Sequence, residues 1–221
     1  MAVVAEIINI IVNLLSLEKF LLNIIATSPT INKLITFAPI CCSNNKSNTN
    51  DIKDKVYNSY SVGDKVSLSD SSVWNVLESS TKDDEFVTLL SVSNINNNSI
   101  AFTEASNYIT TTYKDDLISK NNATDKDIKE IRLISLEDIS KLSGISTSEL
   151  IPGKSLENNS TPAFLYESQT ITSKIEGNNP IMICNPIPEF HETNPGRICI
   201  GTQTDKFEIR PVIVISKQYI K

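Results

Sequence analysis

His191 is the only histidine in the chain, and it sits between Glu189 and Glu192, with Asp205 a little further on. These are the residues whose types could do chemistry, as metal ligands or as the acid and base of a hydrolase carried by Glu189 or Asp205. Their spacing argues against both. Metal sites need several ligands at set intervals, and one imidazole among unspaced carboxylates does not supply them, so a solvated loop is the expected reading. A Ser-His-Asp triad would have a single candidate base. Asp83-Asp84-Glu85 and Asp115-Asp116 lack the spacing of a calcium loop, and the chain contains no P-loop, GxGxxG, GxSxG or CxxC pattern. The chain therefore reads as a non-enzymatic protein, with no catalytic residues, no metal and no cofactor.

The four cysteines offer little more. Cys184 and Cys199 lie in neighbouring apolar runs. A disulfide between them would require an oxidising setting, and two buried thiols are the simpler expectation. Cys41-Cys42 follows Pro39-Ile40, where a lipoprotein signal would carry small residues, so this pair reads as two small buried hydrophobes. Asn-x-Ser/Thr triplets such as Asn122-Ala123-Thr124 arise by chance in so Asn- and Ser-rich a chain. The heavy use of Asn, Ile and Lys reflects AT-rich codons rather than function.

Charge excludes one class of partner. The 221 residues carry 20 Lys and Arg against 26 Asp and Glu, a net charge of -6, without a basic cluster, so nucleic acid is not expected as a ligand. With 40% apolar and 21% charged residues, the chain can build a packed core.

Three regions follow from the patterning: residues 1–42, 43–55 and 56–221. In the first, Val3, Ile7, Ile10, Leu14, Leu17, Leu21 and Ile24 form an unbroken heptad seam over residues 1–27. Ile8, Leu15 and Leu22 add a second apolar row, and Val4, Ile11 and Ile25 a third. A helix apolar over most of its circumference must be covered on most sides. Leu and Ile in these core positions favour three or four strands over two, so a homo-oligomer is expected, a trimer above others. A signal peptide would begin basic, whereas Glu6 makes this start acidic. A membrane span is disfavoured by Glu18-Lys19 and by Asn9, Asn13 and Asn23. Pro29 ends the helix, and Ile31 to Cys42 continues as an apolar arm. Residues 43–55, SNNKSNTNDIKDK, are polar and aperiodic, as a linker would be.

The region 56–221 reads as α+β. Strands are expected at Lys65 to Ser69, Val73 to Glu78, Phe86 to Val92, Ile131 to Ile134, Ile181 to Cys184, Arg197 to Ile200 and Arg210 to Ile215. In the second of these, Trp74 and Val76 share one face, while Val73, Asn75 and Leu77 share the other. Helical patterns run from Ala105 to Ile118 and from Leu136 to Leu142. The second carries Ser135 as N-cap, Asp138 as its capping-box partner and Gly144 as its stop. The first and last strands are expected to pair in one antiparallel sheet with helices packed on it.

Trp74-x-Val76-Leu77-Glu78, Leu89-Leu90-Ser91, Arg132 to Ile139 with Gly144, and Arg210-Pro211-Val212-Ile213-Val214-Ile215-Ser216-Lys217 together resemble a C-terminal module of Gram-positive surface proteins and their phages. The likeness covers about residues 60–217 and leaves 1–55 out. Phe164-Leu165-Tyr166 stands where that module usually has tryptophans, and Ile209 where glycine is common. The resemblance implies a C-type-lectin-like or formylglycine-generating-enzyme-like domain. Arg210 is expected to be structural, its guanidinium reaching buried carbonyls or a carboxylate such as Glu78 or Glu137. Pro211 is expected at an edge or a bulge.

These features combine into one expectation. The chain would be a phage virion structural protein, such as a head fibre, a capsid decoration or a tail-fibre knob. It would be held among other virion proteins by its N-terminal helix and display its domain for host attachment, with a host-surface glycan as a candidate ligand. The alternative is an adhesin or pilin-like protein on a bacterial cell surface, anchored by the same N-terminus.

Overall fold

The computed structural model describes residues 56–95, 100–190, 195–202 and 205–221, all within one compact unit, Lys53–Lys221. The expected N-terminal helix, its seam from Val3 to Ile24, the apolar arm and the polar stretch 43–55 lie outside the described residues.

The chain first lays down β1 (Lys65–Ser67), β2 (Val73–Val76) and β3 (Phe86–Ser91). Next come β4 (Ile100–Ala101), α1 (Phe102–Tyr108), a π-helical turn over Ile109–Tyr113, α2 (Lys114–Asn121), β5 (Ile128–Arg132) and α3 (Leu136–Ser143). The remainder forms β6 (Thr170–Glu176), β7 (Asn179–Cys184), β8 (Arg197–Ile200), β9 (Lys206–Phe207) and β10 (Val212–Ser216). This is an α+β arrangement. Its main sheet is antiparallel throughout in the order β1-β2-β3-β10-β5, so the first strands and the last one do share a sheet.

Two expected strands go elsewhere. Ile181 to Cys184 and Arg197 to Ile200 belong to β7 and β8, which join β6 in a separate three-stranded sheet. Strand β6 carries no pattern that would have revealed it. Thr170, Ile171 and Thr172 are buried in succession, and Ser173 to Glu176 are exposed in succession, so nothing alternates. Its hairpin to β7 turns through Gly177 and Asn178, with Gly177 at φ 61°, a conformation that glycine adopts without penalty. A parallel bridge from Ile134 to Thr172 ties the second sheet to the end of β5.

Period-two alternation divides the core around the main sheet. Trp74, Val76, Val87, Leu89, Ile213 and Ile215 face one way and pack with Leu117 of α2. Leu77, Leu90 and Val212 face the other way, toward Ile139 of α3 and Ile181, Ile183 and Ile198 of the second sheet. In β5, Ile128 and Ile131 lie on one face although three apart, because the register with β10 shifts between Val214 and Ile215. That bulge makes Lys129 the extra residue and restores the inward aim of both isoleucines.

Local chemistry fixes the helices. Ser135 Oγ accepts from the Asp138 amide at 3.1 Å, and Asp138 accepts from the Ser135 amide at 2.8 Å. Gly144 closes α3 in the left-handed region at φ 68°. The helix expected from Ala105 to Ile118 begins earlier, at Phe102, and is interrupted by its π turn. There the Thr110 and Thr111 hydroxyls donate to the carbonyls of Ser106, at 2.9 Å, and Asn107, at 2.7 Å, competing with the helical ladder.

The end of the chain is clamped to the start of the described head. Lys217 is nearly fully buried just beyond β10, and its Nζ donates to the carbonyls of Asn58 at 3.1 Å and Thr81 at 2.6 Å. Tyr60 bridges to Ser80 beside it.

Candidate functional site

Arg210 is 1% exposed, yet it forms no ion pair with a carboxylate among the described residues. Its Nε donates to the Ser91 carbonyl at 2.8 Å, Nη2 to Phe164 at 2.9 Å, and Nη1 to Ser168 at 3.2 Å and Leu165 at 3.3 Å. The Arg210 amide donates to Thr170 Oγ1 at 2.9 Å. Burial lowers the guanidinium pKa to about 10, opposed by the charge of Glu167. The carboxylates weighed from sequence are elsewhere: Glu78 holds Lys141 at 3.0 Å, and Glu137 lines a different cleft. Arg210 thus ties down the 164–168 segment through that segment's main-chain carbonyls. Pro211 does not lie at a sheet edge. It immediately precedes β10, a central strand, where a missing N–H is tolerated.

Of the loop residues singled out for chemistry, His191 and Glu192 lie outside the described residues, and Glu189 falls in a short turn, Pro188–Phe190. Asp205 closes a turn by accepting from the Thr202 amide at 2.9 Å, and that bond holds its carboxyl below the ordinary range. Among the described residues, no group of three or more His, Cys, Asp or Glu side chains could hold a metal ion. Cys184 and Cys199 are joined as a disulfide, with their Cα atoms 6.0 Å apart. They project from the same face of β7 and β8, diagonal to one another across the Met182–Cys199 and Cys184–Arg197 pairs. Two free thiols, the simpler expectation, are not what the structure contains.

Among the described residues, two of the clefts that collect polar groups lie against the main sheet. The first, of about 390 Å³, is walled by Glu78, Asp83, Asp84, Glu85, Phe86 and Lys129. Several of its charges already serve the fold. Asp84 Oδ2 accepts from the Thr81 amide at 2.7 Å and hydroxyl at 2.9 Å, and Lys129 Nζ lies 3.6 Å from the centre of the Phe86 ring.

The second cleft, of about 360 Å³, opens where the β1–β2 turn, the end of β3 and the π turn converge. Its floor is ordered by Trp74, which is fully buried. The indole N–H donates to Ser72 Oγ at 2.8 Å, and that hydroxyl donates to Asp70 Oδ1 at 2.6 Å. The Ser72 amide donates to the same oxygen at 2.9 Å. Asn121, buried on α2, accepts from the Asp70 amide at 3.0 Å and anchors its own side chain on the Leu117 carbonyl at 2.9 Å. Ser71, between them, has φ 70°, a conformation that costs a non-glycine residue about 1 kcal/mol or more. On the opposite wall stand Tyr113, the last residue of the π turn, and the Asp116–Lys120 ion pair at 2.6 Å. Burial raises the Tyr113 phenol, and the charges of Asp70 and Asp116 raise it further. Val73, Ile95, Ser91, Ser93 and Asn94 complete the walls, and the Asn94 amide is held by Glu208 at 2.7 Å.

The sequence marks Trp74 as part of a structural motif and carries no pattern for the cleft in front of it. Its walls come from residues 70–73, 91–95 and 113–120, three stretches with no common motif.

No protein family, curated protein or solved structure matches this chain.

Proposed function

We propose that this chain is a non-enzymatic structural protein of a bacteriophage particle, such as a head fibre, a decoration protein or a tail-fibre knob. Residues 1–42 assemble the protein, as a trimer or against a neighbouring virion protein. The head displays a C-type-lectin-like variant of the α+β architecture toward the host surface. The observation that carries this reading is the heptad seam from Val3 to Ile24, set beside two further apolar rows and separated by a polar stretch from the folded head. The Cys184–Cys199 disulfide supports outward display, since such bonds persist on virion and cell surfaces and are rare in the cytosol.

The same disulfide supports a second reading, an adhesin or pilin-like protein on the bacterial surface. Among the described residues no helix is long and apolar enough to cross a membrane. Light scattering of the full chain after size exclusion tests assembly: a multiple of the chain mass, three above others, is expected, and a soluble monomer would overturn the reading. Mass spectrometry of purified phage particles separates the two readings. Recovery of the chain in particles supports the first, and recovery in cell membranes supports the second.

A further inference from the structure

We propose that the cleft between Asp70 and Tyr113 binds an uncharged polyhydroxylated ring, a neutral hexose or N-acetylhexosamine unit of a surface glycan. This deepens the host-attachment part of the proposed function and rests on it.

The cleft is preorganised. Asp70 is fixed by the Trp74–Ser72 relay through Oδ1 and by Asn121 through its amide. Its Oδ2 has no protein donor among the described residues and is left to accept from a ligand. Tyr113 makes no hydrogen bond through its hydroxyl among the described residues, although its ring is half-buried against the core. A tyrosine hydroxyl in such a place ordinarily finds a partner. An acceptor and a hydroxyl held on opposite walls of one cleft suit a ligand that both donates and accepts, as vicinal hydroxyls do.

Charge and shape narrow the class. Asp70 and Asp116 place two carboxylates at the cleft, where Lys120 is bonded to Asp116 and Lys221 reaches the Ser71 hydroxyl at 3.2 Å. An anionic ligand would meet the Asp70 carboxylate, which forms no ion pair among the described residues. Val73, which is 42% exposed, together with Ile95 and the Tyr113 ring, offers apolar surface to the C–H face of a sugar. The volume, about 360 Å³, falls in the lower part of the range of small-molecule sites. The π turn is what brings Tyr113 to this wall, and such turns recur at functional sites.

Saturation-transfer NMR on the full chain tests the proposal, with methyl α-glucoside and methyl β-N-acetylglucosaminide as probes and glucuronate as the charged control. At least one neutral sugar is expected to receive saturation, and glucuronate is not. Tyr113→Phe removes only the unpartnered hydroxyl, so it should leave the thermal midpoint unchanged and weaken binding about tenfold. Asp116→Ala frees Lys120 and should let glucuronate bind, a change in charge selectivity that a purely structural role would not produce. The proposal is overturned if neither neutral sugar is saturated by the folded chain, if glucuronate is preferred by the unaltered protein, or if Tyr113→Phe binds as tightly. The assembly reading fails or stands separately: an oligomer that ignores sugars removes only the cleft proposal, and a monomer that binds them removes only the particle reading.

Discussion

Arg210 supplies to Ser91 the hydrogen bond that Pro211 cannot. Ser91 and Pro211 lie opposite one another, one step beyond the Leu90–Val212 pair, and the Ser91 amide donates to the Pro211 carbonyl at 3.0 Å. In a hydrogen-bonded antiparallel pair the return bond would come from the N–H of the facing residue, and proline has none. The Arg210 Nε–H fills that position at 2.8 Å, and the rest of the guanidinium turns to the carbonyls of the 164–168 segment. The adjacent Arg-Pro pair is therefore one device: the proline opens a gap in the ladder and the arginine closes it while tying a loop to the sheet.

Replacing Arg210 by methionine should destabilise the head by about 3–5 kcal/mol, because several buried carbonyls lose their donor together. Lysine should recover only part of this, since a point-like ammonium cannot span the same set of carbonyls. Urea unfolding followed by fluorescence measures both changes. Trp74 is the only tryptophan and is fully buried, so the native emission is expected to be blue and to shift red on unfolding.

Acid should weaken the α3 region through Asp138. Burial alone would raise this carboxyl, but the Arg132 guanidinium and the Ser135 amide and hydroxyl more than reverse it, leaving the pKa below the ordinary 3.8. A carboxyl depressed in the folded state contributes stability above its unfolded value, and that contribution is lost as pH falls through the folded value. Wild-type stability should therefore fall more steeply below pH ~4 than that of Asp138→Asn, which lacks the contribution at every pH. Parallel urea titrations between neutral and acid pH make the comparison. Equal slopes would show that Asp138 is not the group responsible.

The disulfide closes a short loop, with its cysteines 15 residues apart. Cross-linking a loop of that size contributes up to about 3 kcal/mol by restricting the unfolded chain. A Cys184→Ala, Cys199→Ala double variant should lose roughly 2–3 kcal/mol. Its melting temperature should also no longer respond to reducing agent, whereas that of the wild type should fall.

Gly196 admits no side chain. A Cβ there would lie 2.5 Å from Tyr166 Cδ2, and the Gly196 amide is already held by Glu157 at 2.7 Å. Gly196→Ala should cost about 1–3 kcal/mol by overpacking. Tyr166→Gly, which removes the ring and also the Cβ that would stand 2.8 Å away, should make the second substitution far less costly, a coupling that a double-mutant cycle of melting temperatures would detect.

What the sequence disclosed is what local chemistry encodes. Helix α3 was legible from Ser135, Asp138 and Gly144 because its caps bond within a few residues. The faces of β2 were legible because Trp74 and Val76 alternate with Val73 and Asn75. Strand β6 was not, because its inner end is buried on both sides and its outer end on neither. That Arg210 would reach buried carbonyls was legible, but which ones was not, since main-chain oxygens 42 to 119 residues away leave no mark on side-chain identity. The cleft at Asp70 and Tyr113 depends on a π turn built from threonines that elsewhere sit in ordinary helices, so no spacing rule announces it.

Lys217 gives the head a mechanical polarity. A pull on the chain ahead of Val56 would meet the bond from the Tyr57 amide to the Lys82 carbonyl at 3.3 Å and then, at Asn58, the ammonium of Lys217 at the end of β10, the strand with neighbours on both sides. Load would then spread across the whole sheet at once instead of peeling β1 from its edge. A domain loaded through this end would resist as a block, and shearing it open would require the buried cation to leave its two carbonyls.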